Sequence, residues 1–166
     1  MKKTILSISA GLALALGSCG PTKEDAVKYN DSLVAIEKAF IPAYNAFVDQ
    51  LDGHNVDSLK MAYELFAARA KSSVEECAKI QPFNEKKEYL EAASNYFKTM
   101  NDLVANEASQ VLALMTKDTA LVSEEDFANI GKYVQKMDAE NERISKAIQS
   151  AQEAFAQEWK IKIREE

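Results

Sequence analysis

Ten residues near the end of the chain recur at steps of 3, 4, 3, 4, 3, 4, 3, 4 and 4: Phe127, Ile130, Val134, Met137, Asn141, Ile144, Ile148, Ala151, Phe155 and Trp159. A period close to 3.5 puts them on one stripe of a single long helix. Such a stripe is stable only when other helices cover it, so the chain has to build a bundle around this segment. Ser123-Glu124-Glu125-Asp126 opens it as a capping box, with acidic residues at the positive helix end. The spacing predicts a helix from there to the C-terminus. Asn141 is a polar residue on the stripe, suited either to setting register or to bonding a neighbouring helix. Gly131 beside Ile130 is expected to admit a large ring from another helix.

Three further amphipathic segments supply the cover. The first, roughly 23–50, carries Ala26, Tyr29, Leu33, Ile36, Phe40, Tyr44, Phe47 and Leu51 on one face, with Pro42 expected to kink or break it. The second, roughly 56–80, carries Leu59, Ala62, Tyr63, Phe66, Ala70, Val74, Cys77 and Ile80. The third is expected to start with Asn84 as N-cap, Phe83 acting as a hydrophobic staple, and to run to Thr116. It carries Leu90, Ala93, Phe97, Met100, Val104, Val111 and Met115. Five glycines and three prolines in 166 residues agree with an all-helical chain. Short connections force neighbouring helices to run oppositely. The expected fold is all-α: an antiparallel, up-down-up-down four-helix bundle over residues 23–166.

Ahead of the bundle, Met1-Lys2-Lys3 is followed by an uncharged run from Thr4 to Gly17, too short to span a bilayer, which takes about 20 apolar residues. The run ends in Leu16-Gly17-Ser18-Cys19, a branched apolar residue, two small residues and Cys. It resembles the lipobox of bacterial lipoproteins. The resemblance implies a signal peptide over 1–18, cleavage between Ser18 and Cys19, and acyl chains on Cys19 as the membrane anchor, with 19–22 as a short tether. Gly20, where the family's inner-membrane retention signal has Asp, favours the outer membrane. Lys23-Glu24-Asp25 resembles the surface-export signal of Bacteroidota-type lipoproteins, while Thr22 with Asp25 equally reads as a capping box. Tyr29-Asn30-Asp31 and Leu33-Val34 near the anchor resemble the opening of small, uncharacterised helical lipoproteins of that type, a group that implies no activity and no functional residues. The expected location is the cell envelope, on either the periplasmic or the surface face.

The remaining chemistry is mostly exclusion. Without Lys2 and Lys3 the 20 basic residues fall to 18, against 26 acidic ones, and no basic stripe offers itself to nucleic acid. The one histidine, His54, falls in a turn, so no Glu-x-x-His di-iron site and no attached-haem motif can be built; no cofactor or metal is expected. Met61, Met100, Met115 and Met137 read as core or seam residues. Cys77, among Val74, Ala78 and Ile80, reads as a buried small hydrophobe. Paired acids such as Glu75-Glu76 and Glu140 with Glu142 diverge along a helix, and nothing nominates a catalytic group. The expectation is a non-enzymatic, lipid-anchored module that binds another protein or serves as a structural element. Its candidate partner-facing turns are Asp52, His54 and Asn55, and Lys117 and Asp118. The alternative is a small-molecule binder or enzyme with a cavity between the helices, its candidate lining Tyr44, Tyr63 and Tyr96. The tail from Trp159 through Lys160, Lys162 and Arg164 suits either membrane headgroups or a solvated helix end whose cations complement the dipole; the following glutamates favour the second.

Overall fold

The computed structural model describes residues 20–53 and 55–163. The expected signal peptide, Ser18, Cys19, His54 and Arg164 lie outside the described residues. Those described form an all-helical bundle. Helix α1 spans Lys23–Leu51 and α2 spans Val56–Cys77. A third rod is built from α3 (Glu88–Leu103), a wide π-turn (Val104–Ala108) and α4 (Ser109–Met115). A 3-10 turn at Thr119–Leu121 leads into α5, Glu124–Trp159.

Local chemistry sets most boundaries. At α1, the Asp25 N–H donates to Thr22 Oγ1 at 3.2 Å and the Thr22 N–H donates to Asp25 Oδ2 at 2.9 Å, completing a capping box. Asn55 caps α2 by accepting from the Ser58 N–H at 3.0 Å. Ser123 and Asp126 repeat the capping box at α5. The Lys117 ammonium beside Asp126, with the Ser123 N–H and hydroxyl, holds that carboxyl at about 2, below its ordinary 3.8. A carboxyl lowered on folding stabilises the chain above the unfolded value and loses that contribution as pH falls through the folded one. Thermal stability is therefore expected to decline between pH 3.8 and about 2, and Asp126→Asn to flatten that part of the acid curve. An identical slope in wild type and variant would show that Asp126 is not responsible.

Several expectations are corrected. Pro42 lies inside α1 without ending it. Phe40, Ala43 and Phe47, buried on either side of it, hold the helix through the lost hydrogen bond, since packing rather than propensity carries most helical stability. Helix α2 stops at Cys77, three residues early. The third rod starts at Glu88, not at Asn84, because Asn84 (φ 50) and Glu85 (φ 65) are both left-handed and close a turn in which the Lys86 N–H donates to the Phe83 carbonyl at 3.0 Å. Two successive positive φ values make a hairpin-type turn, which cannot serve as a helix N-cap. Phe83 instead packs on Trp159, ring centroids 4.9 Å apart, and on Phe155 at 5.5 Å. Helix α5 does not reach the C-terminus: Lys160 is left-handed (φ 52), and the Ile161 N–H returns to the Ala156 carbonyl at 3.0 Å.

The core has two aromatic centres. One joins Phe40, Phe47, Phe66 and Phe97 with Tyr44 and Tyr96; the other joins Tyr29, Phe83, Tyr89, Phe155 and Trp159. From the seam of α5, Met137, Ile144, Ile148 and Phe155 are buried, but Phe127 is 67% exposed. A straight helix drifts about 20° per heptad from a 3.5-residue repeat, so its first turn rotates the stripe outward and buries Asp126 instead. Met61 is likewise exposed, at 70%, and not in the core. A side chain at Gly131 would meet nothing within 4 Å, so no ring occupies that position.

The π-turn has a local cause and a consequence. The Asn106 amide donates to the Asp102 carbonyl at 2.8 Å and the Ser109 hydroxyl to the Ala105 carbonyl at 2.7 Å, satisfying groups in the widened turn. The turn buries Glu107, which accepts from Lys136 of α5. Helix α1 packs on α2, α2 on α3, and α3 on α5, but α1 and α5 touch at few points. No helix among the described residues is long and apolar enough to cross a membrane.

Candidate functional site: a polar cleft between two helices

The sparse meeting of α1 and α5 has its origin in a second periodic series on α1. Val27, Asn30, Val34, Glu37, Ile41, Tyr44 and Val48 follow one another at steps of 3, 4, 3, 4, 3 and 4. Every second member is polar: Asn30, Glu37 and Tyr44. Helix α5 answers with Gln152, Gln149, Ser145 and Asn141. The polar members of the two series do not pack as an apolar seam does, because each amide and hydroxyl keeps a need for a directional partner.

Near the start of α1, Asn30 Oδ1 accepts from the Gln152 amide at 3.0 Å and from the Tyr89 hydroxyl at 3.3 Å, so one buried side chain ties α1 to both α5 and α3. Farther along, the Ser145 hydroxyl donates to Asn141 Oδ1 at 3.4 Å. The hydroxyls of Tyr96 and Tyr44 reach the same strip, toward Ser145 and Asn141 respectively. The strip borders a cleft of about 480 Å³, lined by Glu37, Ser145, Ile148, Gln149, Gln152, Glu153 and Ile163. The reversal at Lys160 is what brings Ile163 to its wall.

Glu37 dominates the electrostatics. Burial pushes its carboxyl above the ordinary value. No hydrogen bond or ion pair among the described residues reaches that carboxylate. Burial, and then the Glu37 charge, push the Tyr89 and Tyr96 phenols up. Tyr44 is raised by burial and then by Asp138, with Asn141 acting the other way. At the rim, Glu153 accepts from the Gln149 amide at 3.0 Å. No Lys, Arg, His or Cys is among the described lining residues. The arrangement therefore offers charge, acceptors and two isoleucine side chains, and no nucleophile stronger than a serine hydroxyl. Among the described residues, no three His, Cys, Asp or Glu side chains are grouped to hold a metal ion.

A smaller cleft of about 170 Å³ is lined by residues that include Tyr29, Lys86, Glu88, Tyr89, Phe155 and Glu158. Lys86 pairs there with Glu158 at 2.5 Å, and Glu88 accepts from the Lys87 N–H at 3.0 Å. Burial pushes the Tyr29 phenol there up to about 12, with the Phe83 backbone opposing the shift.

The tyrosines expected to line a pocket form core walls instead. Tyr96 is buried edge-on to Phe97 at 5.2 Å and to Phe40 at 5.9 Å. Tyr44 stacks on Phe40 at 6.4 Å, and Tyr63 meets Phe47 at 6.2 Å. None of the three lines either cleft, and only the hydroxyls of Tyr44 and Tyr96 touch the polar strip. Among the candidate turn residues, Asp52 and Asn55 are exposed, and Asn55 is engaged as a cap. Lys117 pairs with Asp126 at 2.8 Å, and Asp118 caps the 3-10 turn through the Ala120 N–H at 3.0 Å. Cys77 is buried, and burial pushes its thiol up. Trp159 is half-buried, its ring 4.9 Å from that of Phe83.

Glu37, Ser145, Gln149 and Gln152 were not among the residues expected from sequence. The alternation of Val27, Val34, Ile41 and Val48 with Asn30, Glu37 and Tyr44 was the available signal. No protein-family model, curated protein or solved structure matches the chain.

Proposed function

We propose that this chain is a lipid-anchored envelope protein whose helical domain is a non-catalytic binding module, and that the cleft between α1 and α5 is its binding site. The observation that carries the binding reading is Glu37: a half-buried carboxylate facing a cavity with no partner among the described residues. Uncompensated charge is costly away from water, and folds keep it chiefly where something else completes it. The cavity also falls within the usual size of small-ligand sites, about 300–1,000 Å³. This favours the cavity reading over docking at the loops, where Asn55, Lys117 and Asp118 already have structural partners.

The anchor reading rests on Leu16-Gly17-Ser18-Cys19, and the preference for the outer membrane on Gly20. The helices are read as an antiparallel up-down-up-down bundle. In support, Asn30 near the start of α1 meets Tyr89 near the start of α3 and Gln152 near the end of α5. With only Gly20 to Thr22 between the anchor and α1, that end of the bundle is held near the membrane.

Two experiments test the two halves. Cys19→Ala is expected to move the chain from the membrane to the soluble fraction of a bacterial host, with loss of acyl labelling; unchanged membrane retention would remove the anchor. For binding, the full chain in detergent micelles is titrated with fractionated small-molecule extract while backbone amides are followed by NMR. Saturable shifts at Glu37, Ser145, Gln149 and Gln152 are expected. An extract that shifts none of them would sink the binding reading.

A further inference from the structure

We infer that the α1/α5 cleft receives an alkylammonium group, carried either by a free linear polyamine or by the lysine side chain of a partner. This rests on the cleft being a binding site and names the chemistry it selects.

The wall residues define that chemistry by what they offer and what they lack. Glu37 supplies a carboxylate inside the cleft with no partner among the described residues, and Glu153 a carboxylate at the rim that accepts from the Gln149 amide. An anion would be repelled by both, and a neutral ligand would leave Glu37 uncompensated. A cation converts a desolvated charge into an ion pair, and no cation lines the cleft among the described residues. Ammonium N–H groups also need acceptors; the Ser145 hydroxyl and the Gln149 and Gln152 amide oxygens can provide them. Each ammonium nitrogen carries three donors at most and accepts nothing, which matches a wall rich in acceptors. Ile148 and Ile163 give the methylene stem an apolar surface.

The same inventory discriminates among cations. A quaternary ammonium is recognised by the faces of aromatic rings, and no ring lines this cleft among the described residues. A divalent metal would want several oxygen ligands at close range, and no such group is present among the described residues. A guanidinium can meet the Glu37 carboxylate in a fork as well, so Nα-acetyl-arginine amide is titrated beside the amines and is expected to bind more weakly, since its donors lie in one plane. A primary or secondary amine, compact and able to donate in several directions, fits best. The volume of about 480 Å³ is sufficient for a linear chain with two ammonium groups.

The test is isothermal titration of the full chain in nonionic detergent with spermidine, cadaverine, Nα-acetyl-lysine amide, Nα-acetyl-arginine amide and choline, paired with amide NMR. Saturable one-to-one binding of at least one of the three primary amines is expected, with shifts at Glu37, Ser145 and Gln152, and choline at least about tenfold weaker. Glu37→Gln is expected to weaken amine binding at least about tenfold while circular dichroism stays helical. Glu124→Gln removes the same charge from the exposed start of α5 and is expected to leave binding unchanged. Tight spermidine binding would identify a free polyamine as the source; binding of the lysine amide alone would identify a partner's side chain. Equal losses in Glu37→Gln and Glu124→Gln, or shifts scattered over the acidic surface, would overturn the inference as unspecific charge attraction. If a neutral extract component shifts the cleft amides and no amine does, the cleft remains a binding site and the amine assignment fails. If nothing shifts them, both fall.

Discussion

Replacing Phe40 by alanine is expected to cost about 3–5 kcal/mol, the range for a fully buried aromatic ring whose cavity cannot collapse. Phe40 is 0% exposed and lies at the junction of three helices. Its ring is 5.7 Å from Phe66 of α2, and 5.9 and 6.0 Å from Tyr96 and Phe97 of α3. These neighbours are rigid rings that cannot move in to fill the space, which puts the site toward the upper part of the range. For a chain of this length the midpoint of thermal unfolding should drop by roughly 10 °C. Phe127→Ala supplies the contrast. Both phenylalanines lie on apolar helical series, but Phe127 is 67% exposed, and its loss should stay within about 0.5 kcal/mol. Urea unfolding of the two variants side by side decides the matter; equal losses would mean that the aromatic centre is not where the stability resides.

Asn30→Ala is the second large effect expected. The Asn30 oxygen accepts from two donors, the Gln152 amide and the Tyr89 hydroxyl, and Tyr89 is itself buried. Truncation leaves both donors searching for an acceptor. A stranded buried group costs about 1–3 kcal/mol, so a loss of about 2–3 kcal/mol is expected, less if water enters from the cleft. Because Asn30 and Gln152 share one bond, the double variant Asn30→Ala/Gln152→Ala should lose less than the two single losses added together. Strict additivity would show that the bond does not tie α1 to α5. The expected loss also bears on the cleft: Asn30 is one of the few places where its walls are joined, so its removal should broaden the amide signals of Ser145 and Gln149.

What was legible in the sequence was what neighbouring residues decide among themselves. Thr22 with Asp25 and Ser123 with Asp126 are complete capping boxes within four residues of chain, and both form. The apolar spacing that places Phe40, Phe66, Phe97 and Ile144 on helical faces is likewise a local pattern, and all four are buried. Cys77 followed from its apolar neighbours. The errors arose where distant contacts outweighed local preference. Asn84 is a good N-cap residue by type, yet the chain spends it on a left-handed turn so that Phe83 can reach Phe155 and Trp159, 72 and 76 residues away. Pro42 should disrupt a lone helix, but packing against α2 holds α1 whole. Phe127 fits its apolar series and still faces solvent, because a periodic pattern fixes a direction on a helix and not what lies there; Met61, read as core or seam from its residue type, faces solvent too.

The cleft was the feature least accessible from sequence. In the chain, Glu37, Gln149 and Gln152 look like any polar residues flanking an apolar stripe, and such residues usually face water. Their spacing does not record that α5 stands opposite α1, or that it stands off. By itself the sequence determined that the described chain is helical, where three of its helices begin, and which faces must be covered. Only the tertiary structure decided which polar residues share a space. Helix formation depends on bonds spanning three or four residues, whereas a carboxylate is stranded only when a second helix, here more than a hundred residues later, excludes water from one side of it and brings no cation.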